Sequence, residues 1–62
     1  MKGYVFYRAD GTLAGFGTCG ADELAHQVMP ACTLLEVTLA QVSAVRSAPS
    51  AWHVVSGALV PV

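Results

Sequence analysis

The stretch from Ala51 to Val62, Ala-Trp-His-Val-Val-Ser-Gly-Ala-Leu-Val-Pro-Val, constrains this chain more than any other. It holds two short apolar runs separated by Ser56-Gly57. A small polar residue followed by Gly suits a two-residue hairpin turn, whose central positions need positive φ. A ribbon closed there sets Val54 against Leu59 and Trp52 against Pro61 on one side. His53, Val55, Ala58 and Val60 fall on the other. The first side carries the chain's one tryptophan and is the expected core face. The second is also mostly apolar, which is unusual for a solvated face.

Size sharpens that point. A chain of 62 residues makes one small domain, 1–62. Such a chain buries only about 60% of its unfolded surface. Yet hydrophobic residues are 55% of the sequence and charged residues 11%, where an average domain has about 25% charged. One core of this size does not shelter so much apolar surface, so part of it is expected to lie against another chain. The net charge is −1, and the fixed positive charges Lys2, Arg8 and Arg46 are scattered. Nucleic-acid binding wants a basic stripe and is not expected. The apolar run Tyr4–Tyr7 is too short for a secretion signal. The uncharged segment from Ser47 to Val62 is too short to span a bilayer and is broken by Pro49, Gly57 and Pro61. The expectation is a chain made in the cytoplasm, with no membrane insertion, whose Cys19 and Cys32 stay reduced.

Tyr4 to Arg8 is aromatic and β-branched and reads as a strand. Asp10-Gly11 is a hairpin signal, with Leu13 to Thr18 returning. A two-residue turn pairs Ala9 with Thr12, Tyr7 with Ala14, Phe6 with Gly15 and Val5 with Phe16. One face then carries Val5, Tyr7, Ala14 and Phe16, and the other Tyr4, Phe6, Leu13, Gly15 and Gly17. Gly15 and Gly17 leave room for the rings of Phe6 and Tyr4 to lie across the strand. Gly20 to Met29 reads as a short helix, with Asp22 and Glu23 in its first turn, Leu24 and Val28 on one face, and Pro30 after it. Cys32 to Leu39 reads as a strand, Thr33, Leu35 and Val37 alternating with Cys32, Leu34 and Glu36. Thr38 and Gln41 have the spacing of a capping box, so a helix over 38–47 is predicted with Leu39, Val42 and Val45 on one face. Ser47 to Ser50 is a loop before the last hairpin. The expected fold is α+β: a small, mainly antiparallel sheet in the order β-β-α-β-α-β-β, with one or two short helices on one face.

Chemistry-bearing residues are sparse. Cys19, His26, Cys32 and His53 are spaced Cys-x6-His-x5-Cys-x20-His, without the close pairs that zinc modules use. A Cys–His nucleophile pair is arithmetically available, but both cysteines read as small buried hydrophobes. Asp10, Asp22, Glu23 and Glu36 each have a structural explanation in a turn, a helix start or a strand. The chain reads as no enzyme, with no cofactor, metal or small-molecule substrate. The candidate contact residues are Tyr4 and Tyr7 on the first strand, with Trp52, His53, Val55, Val60 and Val62 on the last hairpin.

The sequence resembles small proteins encoded among the tail genes of tailed bacteriophages, near tail-fibre genes, and tail-fibre assembly-type segments. The shared features are the aromatic strand, Asp-Gly turn and Gly-rich return (Tyr4 to Gly15), the acidic helix start Asp22-Glu23-Leu24, Pro30-Ala31-Cys32, and the hairpin from Trp52 to Pro61. The resemblance implies a virion component made in the host cytoplasm. It would be a structural or assembly protein of the fibre or baseplate region that binds other phage tail proteins or copies of itself. The rival from another class is a small phage-encoded inhibitor that binds and blocks a host protein.

Overall fold

The structure is a computed structural model that describes residues 1–62. It is an α+β fold. Strands β1 (Lys2–Tyr7), β2 (Leu13–Cys19) and β3 (Thr33–Val37) form one antiparallel sheet, in the order β2-β1-β3. Helix α1 (Leu39–Ser47) follows β3, and strands β4 (Trp52–Val55) and β5 (Ala58–Pro61) make a separate two-stranded sheet. Two 3-10 helices, Ala21–His26 and Pro49–Ala51, fill the remaining connections. The expected single sheet is therefore two. They are joined where Thr12 bridges to His53 and the Val54 N–H donates to the Gly11 carbonyl at 2.8 Å.

The first hairpin departs from expectation at its turn. Its loop has three residues, Ala9-Asp10-Gly11, closed by the Arg8 N–H donating to Thr12 O and the Gly11 N–H donating to Arg8 O, both at 2.9 Å. Gly11 takes φ +90°, the left-handed position that such a loop needs. The longer loop shifts the pairing by one residue, so Tyr7 faces Leu13 rather than Ala14. A bulge at Ala14 takes up the shift, and Phe6–Gly15 and Val5–Phe16 pair as predicted. The bulge turns Leu13 onto the Val5 face, where it packs against the core, correcting its placement beside Phe6.

The core sits between that face and the two C-terminal elements. Val5, Val37, Val42, Val45 and Val54 form a buried cluster, with Tyr7, Leu13, Phe16, Leu35, Trp52 and Leu59 packed around it. Val5, Val42 and Val45 are buried almost completely, each contributing about 1.5–3 kcal/mol by leaving water. α1 lies close over β1: a Cβ on Gly3 would stand 2.5 Å from Val42 Cγ2. The predicted capping box is present. Gln41 N–H donates to Thr38 Oγ1 at 3.1 Å, and Thr38 N–H donates to Gln41 Oε1 at 2.8 Å.

Two other expectations are corrected. The segment over 20–29 is a 3-10 helix only from Ala21 to His26 and buries no residue; Val28 lies beyond it and is exposed, so Leu24 and Val28 share no packed face. β3 stops at Val37 because Thr38 caps α1, and Leu39, expected beside Val42 and Val45, is about half exposed. Two buried valines, Val42 and Val45, seat the helix.

Candidate functional site

The uncharged hairpin β4–β5 has the geometry read from its sequence. Ser56 (φ +52°) and Gly57 (φ +77°) form the turn, and the pairs are Val55–Ala58, Val54–Leu59, His53–Val60 and Trp52–Pro61. The Val62 N–H donates to Ala51 O at 2.8 Å and extends the ladder by one residue each side. Val54, Leu59 and Trp52 face the core. The reverse side presents His53, Val55, Ala58, Val60 and Val62. Val55 is 50% exposed and Val62 79%, with His53 and Val60 half-buried and Ala58 exposed. This is a continuous apolar strip whose one polar side chain is an imidazole. The first sheet anchors it through Gly11 and Thr12, so it is held rather than dangling.

Tyr4 and Tyr7, the other expected contact residues, are not brought to this strip or to each other. Successive strand positions point to opposite faces. Tyr7 packs against the core, as does Trp52. Tyr4 lies on the far face, its ring over Gly17: a Cβ there would stand 2.6 Å from the Tyr4 hydroxyl. Its centroid is 5.4 Å from that of Phe6 in an edge-on arrangement.

Elsewhere the surface offers two shallow clefts. One, about 330 Å³, is bounded by Lys2, Glu36, Thr38 and Gln41, with Lys2 Nζ 3.3 Å from Glu36 Oε2. The other, about 290 Å³, lies between Leu13–Phe16 on β2 and Pro49-Ser50. The second was invisible in the sequence, because only the fold brings Pro49 to β2. Neither holds a Cys, His or paired carboxylates. No three His, Cys, Asp or Glu side chains gather as metal ligands, and both cysteines are free. The one clearly displaced titration is that of Asp10. The Thr12 hydroxyl donates to it at 2.7 Å and the Thr12 N–H at 3.0 Å, with Arg8 nearby, holding its carboxyl below the usual range. That cluster belongs to the first turn and stabilises it. No family model, curated protein or solved structure matches the chain.

Proposed function

We propose that the protein is a non-enzymatic binding component of a bacteriophage tail, structural or assembly-related, acting in the fibre or baseplate region of the virion. It docks onto other tail proteins through the outward face of the β4–β5 hairpin. The observation that carries the binding role is the uncharged strip Val55–Ala58–Val60–Val62, of which the folded chain leaves Val55, Ala58 and Val62 exposed and Val60 half-buried. Contiguous apolar surface of this kind marks contact sites. The assignment to a phage tail comes from the resemblance of the sequence. His53, at the strip's edge, can supply a hydrogen bond that fixes the partner's orientation.

Mass spectrometry of purified phage particles from the native source is the test. Peptides of this chain in the particle, and loss of its capture by fibre or baseplate proteins in Val55→Glu and Val60→Glu, are the expected results. Absence from the particle, with a host protein recovered on the chain instead, rejects the tail role in favour of an inhibitor.

A further inference from the structure

We infer that the outer edge of β3 is a self-association edge. Two copies of the chain pair their β3 strands antiparallel about a two-fold axis at Leu35. The two three-stranded sheets become one of six strands.

Backbone direction makes the first part of the case. The Arg8 N–H bonds to Thr12 O, so Arg8 turns its backbone groups toward β2. Groups alternate in direction along a strand, so Tyr7, Val5 and Gly3 turn theirs toward β3. Their partners Thr33, Leu35 and Val37 therefore face β1. Leu34 and Glu36 turn their N–H and C=O groups outward, and no bond outside the ladders uses them. The open segment is bounded on both sides. The Cys32 N–H donates to Met29 O at 3.2 Å, and the Thr38 N–H is held by Gln41.

The other free edges are blunted in ways β3 is not. On β5 the Ala51–Val62 bond sets Pro61 at an outward-facing position, where it has no N–H to offer. On β2 the Ala14 bulge breaks the first part of the edge, and Gly15 and Gly17 leave the rest with few side chains to pack against a partner strand. β3, Thr-Leu-Leu-Glu-Val, has no Pro, Gly, Lys or bulge. Its one charge, Glu36, is paired with Lys2 of β1, and an edge whose backbone groups are free in this way recruits another strand.

The segment is also complementary to itself. Pairing about Leu35 sets Leu34 of one copy against Glu36 of the other, both with outward-facing groups. Every free N–H and C=O of those residues is then used, and the two Leu35 side chains meet at a close, non-hydrogen-bonded position. A shift one way sets Glu36 against Glu36, and like charges directly opposite repel. A shift the other way sets Glu36 against Cys32, whose N–H is taken. A five-residue strand pair is a small interface, so the dimer is weak and concentration-dependent. The inference is independent of the hairpin strip, which stays free in such a dimer.

Sedimentation velocity over a concentration series of the full chain, with amide exchange followed by NMR, tests this. The Leu34 and Glu36 amides are expected to exchange freely when dilute and to become protected as the dimer forms, with Leu35 protected throughout. Glu36→Pro removes an outward N–H but no ladder bond, and should weaken the dimer about tenfold or more. N-methylation of the Leu34 amide in a synthetic chain should do the same with every side chain intact, which covers a Glu36→Pro chain that does not fold. A monomer at all concentrations into the millimolar range overturns the inference, even if a foreign strand pairs there. So does a dimer that leaves the Leu34 and Glu36 amides unprotected, or one that survives N-methylation.

Discussion

Gly11 does two things at once. Its φ of +90° closes the first loop, and its bare Cα lets the Val54 backbone approach close enough for the bond that joins the sheets. A Cβ would run into the Val54 carbonyl oxygen. Gly11→Ala is therefore expected to cost about 2–3 kcal/mol, strain and displaced hairpin together. Urea unfolding measures the loss. Beside it, the carboxylate of Asp10 accepts from the Thr12 hydroxyl and N–H. Asp10 gives up its proton more readily folded than unfolded, because those bonds favour the charged form. Its stabilising contribution is thus complete above the unfolded carboxylate value of about 3.9 and fades as pH falls through the lower folded value. An NMR titration should place the Asp10 midpoint below 3.9, and Asp10→Asn should flatten that part of the acid-unfolding profile.

At the scale of elements, the helix and the last hairpin show how little local sequence is needed when tertiary contacts help. α1 has nine residues, fewer than an isolated helix needs to persist in water. The capping box supplies its start, and Thr38→Ala is expected to destabilise the fold by about 1 kcal/mol. In the last hairpin Ser56 holds φ +52°, an uncommon conformation for a side-chain-bearing residue. Asn tolerates it better, so Ser56→Asn should raise stability by about 0.5 kcal/mol, read as a higher unfolding temperature. Both elements were legible in the sequence because their signals are local. The loop length of the first hairpin was not. Asp-Gly fits a two-residue turn and a three-residue turn equally well. The three-residue loop is the one found together with the Gly11–Val54 bond, made by residues 43 positions apart.

The whole molecule has an accessible surface of 3834 Å², close to the ~3,800 Å² of a folded monomer of its mass. Its nine buried residues include no polar side chain, and the core is chiefly valine. Domains of this size hold roughly 3–9 kcal/mol of stability in all. Val45→Ala, at a fully buried position of the core cluster, should therefore remove about 2 kcal/mol. That is a large share of the total, and thermal melting would show it plainly. The apolar excess that composition foretold lies on the surface, at Val55 and Val62 and also at Met1, Val28 and Leu39. Composition gave the amount of uncovered surface. It did not give the location, since a two-residue period says which side chains share a face and not which face is covered.

The sequence alone determined the elements whose causes lie within a few residues. These are the Ser56-Gly57 turn and its register, the Thr38–Gln41 cap, the rings of Tyr4 and Phe6 over glycines, and the α+β class. Turn dihedrals, capping bonds and side-chain alternation are short-range quantities, so residue order suffices for them. The tertiary structure decided the split into two sheets, the bulge that moved Leu13 to the core, the exposure of Leu39, and the open edge of β3. Each depends on which distant backbone arrives beside a strand or helix, and packing of the whole chain makes that choice.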